Sequence, residues 1–180
     1  MTFWLFAIVI AFASSVFASD GLKITAAGDF LLETSSAGRP RLDVREAEIA
    51  MFGPVDPHFD AFFSVAAHRE GATVPNFEVH ELYFSSSKLI PRSRFKIGHF
   101  FLGVGRLNQT HRHDWPFVAA PLVHATFFAQ EAASDTGVEY SYLLPISFFL
   151  EATAGVTNGW VLGHAHNIGT GSIIPTHYLK

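Results

Sequence analysis

The stretch Val138-Glu139-Tyr140-Ser141-Tyr142-Leu143-Leu144-Pro145-Ile146-Ser147-Phe148-Phe149-Leu150-Glu151-Ala152-Thr153-Ala154-Gly155-Val156 alternates in character on both sides of a proline. Val138, Tyr140, Tyr142 and Leu144 share a face opposite Glu139 and Ser141. Beyond the turn, Phe148, Leu150, Ala152, Ala154 and Val156 form a wholly apolar face, with Ser147, Phe149, Glu151, Thr153 and Gly155 as their alternates. A period of two puts successive side chains on opposite faces of an extended chain. The stretch therefore predicts a β-hairpin.

Two earlier segments repeat the plan. Gly53-Pro54-Val55-Asp56-Pro57 holds two prolines close together, which excludes a helix and favours a reversal. Before it, Ala47, Ile49 and Met51 oppose Glu46 and Glu48. After it, Phe59, Ala61, Phe63, Val65 and Ala67 alternate with Asp60, Phe62, Ser64, Ala66 and His68. Lys88-Leu89-Ile90-Pro91-Arg92 likewise separates Phe77 to Ser85 from Arg94 to Leu102. In the later strand Phe95, Ile97 and Phe101 oppose Arg94, Lys96 and Gly98. The earlier one is less regular, because Glu81 falls on the face of Phe77, Val79 and Tyr83. The connections between pairs are long, Arg69 to Asn76 and Gly103 to Thr136. Short turns at one end and long loops at the other predict an all-β chain: an antiparallel transmembrane β-barrel, or part of one. A secreted β-sandwich shares the alternation but turns its apolar faces inward. Aromatics paired with a small-residue apolar face favour the barrel.

The composition agrees. Of 180 residues, 49% are hydrophobic, 14% aromatic and 16% charged, with 19 Phe and no Cys. That excludes a disordered chain, a disulfide scaffold and a thiol nucleophile. The net charge of -4 leaves no positive excess for a nucleic-acid partner. Residues 1–18, MTFWLFAIVIAFASSVFA, read as a secretory signal peptide cleaved after Ala18. Residues 19–40 are an N-terminal extension or a first strand, and 41–180 are the barrel domain with its long loop 103–136. Six strands are convincing, whereas single-chain bacterial barrels start at eight. The expectation is a short or truncated barrel, or one closed by residues 20–34 and 160–179.

The long loop concentrates polar and imidazole groups, and loops of this length are usually functional. Leu122 to Glu131 is expected to form a short helix or fold inward. Around the loop stand Phe95-Lys96-Ile97-Gly98, Gly105-Arg106-Leu107-Asn108-Gln109, His111, His113-Asp114-Trp115-Pro116-Phe117, Pro121-Leu122-Val123 and Gly137-Val138-Glu139-Tyr140-Ser141-Tyr142-Leu143-Leu144-Pro145. This block resembles a family of Gram-negative outer-membrane porin-like β-barrels, some of them labelled zinc-regulated, TonB-dependent receptors. The resemblance covers most of residues 42–160 and implies a barrel in the outer membrane. Its most specific part is the loop signature Gly105, Arg106, Asn108, Trp115, Pro116 and Phe117.

Ten histidines include two His-x-His pairs, His111/His113 and His164/His166. On an extended segment each pair presents two imidazoles to one side. With Asp114 they are candidate ligands for a transition metal such as Zn²⁺, which takes three or four such groups. His58, His68, His80, His99 and His124 stand alone and are expected to be polar lumen or interface residues.

No catalytic motif is present. There is no Gly-x-Ser-x-Gly elbow, and His80-Glu81-Leu82-Tyr83-Phe84 lacks the second His of a metalloprotease helix. A membrane lipid hydrolase would need Ser85, Ser86 or Ser87 to meet His99. The sequence is read as non-enzymatic. The functional expectation is a porin-like barrel passing small solutes or ions, its lumen lined by Glu46, Glu48, Asp60, Arg94, Lys96, Glu139 and Glu151. Its partners would be outer-membrane lipid and small solutes, with homo-oligomer formation left open. The alternative is an exported, periplasmic soluble β-domain holding a metal through its His pairs.

Overall fold

The structure is a computed structural model describing residues 14–17, 21–34, 39–69, 75–128, 131–159 and 177–179. Its strands are β1 (Ser14–Phe17), β2 (Lys23–Glu33), β3 (Arg41–Pro54), β4 (Asp60–His68), β5 (Asn76–Ser86), β6 (Ser93–Phe101), β7 (Ser134–Leu143), β8 (Glu151–Thr157) and β9 (His177–Leu179). They form one antiparallel sheet in which each strand pairs with its neighbours in sequence. All-β architecture and the three hairpins are as expected. Ile24 to Leu32 lies within β2, so the N-terminal region supplies a strand. Of the expected signal peptide only β1 is described, and it pairs with β2. Among the described residues β1 and β9 do not pair with each other, so the sheet is not closed into a barrel.

The burial of the two faces is inverted relative to a water-soluble protein. Among the described residues fifteen polar or charged residues are buried, against seven apolar ones. Asp29, Glu46, Glu48, Ser64, His80, Glu81, Glu139, Ser141 and Thr153 are buried on one side. Ile49, Val79, Leu82, Phe84, Ile97, Val138, Tyr140 and Val156 stand exposed on the other. The register joins the latter into rows. Ile49, Val65 and Val79 are cross-strand partners over β3, β4 and β5. Phe84, Ile97, Val138 and Val156 make a second row over β5 to β8.

Two bulges adjust the buried face. The β2–β3 register steps from Asp29↔Glu46 to Phe30↔Val44, leaving Arg45 extra. The β4–β5 register steps from Ser64↔Glu81 to Val65↔Val79, leaving His80 extra. Where two residues oppose one, both can turn to the same side. Arg45 with Glu46, and His80 with Glu81, are consecutive buried pairs. The irregularity of Glu81 in the sequence is the trace of the second bulge.

Two expectations on side-chain placement need correction. Phe101, assigned to the face of Phe95 and Ile97, is buried against His80 and His111. Its strand ends there and the chain turns into the loop. The third hairpin is also looser, since β8 begins at Glu151 and Phe148 and Leu150 lie in the connection.

The long connection, 102–133, packs over the polar face. It contains two single-turn 3-10 segments, Leu107–Gln109 and Arg112–Asp114, and α1 (Leu122–Phe127). The small apolar core, Phe100, Leu102 and Ala133 with Tyr83 and Phe128 packed on it, lies at the loop's base.

Gly98 faces Gly137 across β6–β7 and has φ of 138°. A Cβ there would lie 2.3 Å from the Leu82 carbonyl oxygen and 2.6 Å from Tyr83 Cα. Gly105, at φ of 73°, has open space around it. Gly98→Ala should therefore cost about 1–3 kcal/mol more than Gly105→Ala, whose penalty is backbone conformation alone. Denaturant unfolding of the two variants checks this. Equal midpoints would contradict the close approach of β5 and β6.

Candidate functional site

β3, β4 and β5 carry polar side chains at alternate positions, and the bulges add Arg45 and His80 to that set. Glu46 and Glu48 come from β3, His68 from the end of β4, and His80 and Glu81 from β5. The loop brings His111, His113 and Glu131 onto them. The result is a cluster of four carboxylates and four imidazoles between the sheet and the loop.

Glu48 is its centre. Its Oε2 lies 3.0 Å from His80 Nδ1 and 2.7 Å from His111 Nδ1. His111 Nε2 reaches Glu81 Oε2 at 3.2 Å. His80 Nε2 faces His68 Nε2 at 2.7 Å and Glu131 Oε2 at 3.4 Å. His113 Nδ1 lies 3.7 Å from Glu46 Oε1, the nearer oxygen of a side chain that is 1% exposed. Ring contacts run through the cluster, with His80–His111 tilted and His111–His113 stacked at centroid distances of 5.6 and 5.7 Å.

The loop groups titrate abnormally. Burial alone would lower the His111 pKa, but the Glu48 and Glu81 carboxylates beside it outweigh burial and hold it at about 10. Burial opposes the charge on His113 too, yet Glu46, Glu48 and Asp114 raise it above the ordinary value. Burial and the neighbouring Glu46 push Glu131 up to about 7, against the pull of His80, His111 and Arg112.

Several contacts fix the loop in place. Arg45 pairs with Asp29 on β2 and donates to the Val118 carbonyl. Asn108, 1% exposed, donates to the Leu102 and Ala133 carbonyls at 2.8 and 3.0 Å and accepts from the Ala133 amide at 2.6 Å. Trp115 is buried, donates Nε1 to the Thr110 carbonyl at 2.9 Å and meets His124 edge-on. Of the loop signature, Asn108 and Trp115 are thus structural anchors. Phe117 packs on Trp115 but remains part-exposed, and Arg106 and Pro116 are exposed.

The structure revises the expected metal set. His111 and His113 both enter the cluster. Asp114 stays at its edge, with 66% of its side chain exposed and Oδ2 3.8 Å from His113 Nε2. His164 and His166 lie outside the described residues. His68 and His80, expected to be isolated, are members, and so are Glu81 and Glu131. The signal for His80 was the broken alternation at Glu81. Of the expected lumen charges, Glu46, Glu48 and Glu139 are buried. Lys96 pairs with Glu139 at 3.7 Å and lies over the Tyr83 and Phe100 rings. Arg94 and Glu151 pair at 3.5 Å nearer solvent, and Asp60 is half-buried. Glu81, Tyr83, Arg94, Lys96, Phe101 and Glu139 border a cavity of about 340 Å³. Ser86 donates to the His58 carbonyl and His99 contacts Thr136, so neither joins the other in a nucleophile–base pair.

No family model matches the chain. The chain is 34% identical over 113 residues to an uncharacterized protein of Aquifex aeolicus (strain VF5). The match covers 63% of this chain and 23% of that protein, so the chain spans about a quarter of its relative's length. No solved structure matches.

Asn108→Asp keeps the side-chain size but puts a carboxylate oxygen where Nδ2 donates to the Leu102 and Ala133 carbonyls, a buried repulsion costing about 1–3 kcal/mol. Limited proteolysis should then cut within residues 103–131 under conditions that spare the wild type. Equal protection would contradict the anchoring role.

Proposed function

We propose that the chain forms wall of an outer-membrane β-barrel that passes small solutes or ions, with loop 102–133 folded across the lumen as its constriction. The observation that supports this most directly is the inversion of the faces. Carboxylates, imidazoles and hydroxyls are buried together, while rows of Ile, Val, Leu and Phe are exposed. Contiguous exposed apolar surface of this extent needs a covering partner. Lipid covers such a face on a membrane barrel, whose strands alternate apolar-out and polar-in. No described helix is long and apolar enough to cross a membrane.

The soluble β-sandwich reading would require the apolar rows to meet a second sheet. Among the described residues there is one sheet, and the loop packs on its polar side. Export through the expected signal peptide belongs to the same proposal, as does an outer-membrane destination. Outside the histidine cluster, the expected lumen charges Asp60, Glu139 and Glu151 outnumber Arg94 and Lys96, a balance that mildly favours cations.

Fractionation and conductance test the proposal together. Expressed with its leader in a Gram-negative host, the protein should sediment with outer membranes and migrate differently on a gel before and after boiling. In planar bilayers it should give discrete, cation-preferring conductance steps. Recovery in the osmotic-shock fluid would overturn the membrane assignment. Membrane localisation without conductance would overturn the pore.

A further inference from the structure

Two imidazole nitrogens converge on one carboxylate oxygen: His80 Nδ1 and His111 Nδ1, at 3.0 and 2.7 Å from Glu48 Oε2. His111 Nδ1, although so close, has no aligned hydrogen-bond acceptor. The three ligand atoms lie within 4.8 Å of one another. The far nitrogen of each ring is also engaged: His111 Nε2 meets Glu81 at 3.2 Å, and His80 Nε2 meets His68 Nε2 at 2.7 Å with Glu131 3.4 Å away. Outer carboxylates that orient ligating imidazoles are the usual surroundings of a metal-bound histidine.

A separate observation concerns Glu46. Glu46 is 1% exposed, and neither of its carboxylate oxygens has a hydrogen-bond partner. One oxygen lies within 4.8 Å of the ligand atoms of Glu48 and His113. The His113 imidazole, 3.7 Å from Oε1, stands beside it without an aligned hydrogen bond, and a metal ion at Glu48 would add positive charge there.

We infer that Glu48, His80 and His111 bind one divalent transition-metal ion, with Glu46 and His113 completing its surroundings. Two imidazoles and a carboxylate with a further position open suit Zn²⁺, whereas Ca²⁺ takes oxygen ligands alone. Ligands about 2.1 Å from a tetrahedral metal stand roughly 3.4 Å apart, so Glu48 Oε2 must part from His80 Nδ1 by about 0.4 Å and from His111 Nδ1 by about 0.7 Å. His111 sits on the loop and can make that movement. The ion would tie the loop to β3 and β5. This inference does not depend on whether the apolar face meets lipid.

The test uses the full-length protein in detergent, stripped with a chelator and dialysed against Zn²⁺, with bound metal measured by elemental analysis. One ion per chain is expected. Glu48→Gln and His111→Ala should each weaken binding by about 100-fold, and a His164→Ala/His166→Ala variant should bind as the wild type does. If Glu48→Gln fails to fold, His111→Ala decides, because its side chain lies outside the strands. The inference is overturned if the wild type retains no Zn²⁺, if binding survives in His111→Ala, or if the His164/His166 variant is the one that loses it.

Discussion

Charged side chains removed from water must find partners, and this sheet buries a whole face of them. Glu46, Glu48, Glu81 and Glu139 cannot lie together on one surface unless positive or hydrogen-bonding groups meet them. The loop provides those groups: His111 reaches Glu48 and Glu81, and His113 approaches Glu46. Lys96 from β6 meets Glu139. The position of the loop, the shape of the remaining cavity and the burial of His80 all follow from that requirement. Asn108 and Arg45 hold the loop at two further points, its base and Val118.

The bulges are the local device that makes this arrangement possible. A regular strand gives every second side chain to the buried face. Extra residues at Arg45 and His80 give β3 and β5 two consecutive buried polar residues each. Arg45 then neutralises Asp29 on one strand while reaching the loop. His80 becomes the link between Glu48, His68 and Glu131. Such irregularities are common where a sheet must re-aim a side chain.

The hairpins were legible because a period of two persists through 46–67, 94–100 and 138–156, and prolines mark the reversals. The buried polar face was legible at Glu46, Glu48 and Glu139 for the same reason. What the sequence concealed was anything that depends on a break in that period or on distant contacts. His68 and His80 look isolated in the chain, and only the β4–β5 pairing and the loop bring them to Glu48 and Glu131. Asp114 looked like a ligand under an extended backbone, but it stays at the cluster's edge with 66% of its side chain exposed. Alternation identifies two faces without saying which is inside; burial by the loop separates them.

The central claim is that the rows through Ile49 and Ile97 face lipid. The chain contains no cysteine, so single cysteines can be introduced and labelled without background. The decisive measurement is quenching of an environment-sensitive fluorophore at Ile49→Cys, Ile97→Cys and Val156→Cys by nitroxide lipids in vesicles, compared with Ala50→Cys, Ala66→Cys and Thr153→Cys. The account predicts strong quenching for the first three and little for the second three. Equal, weak quenching at all six positions would contradict it.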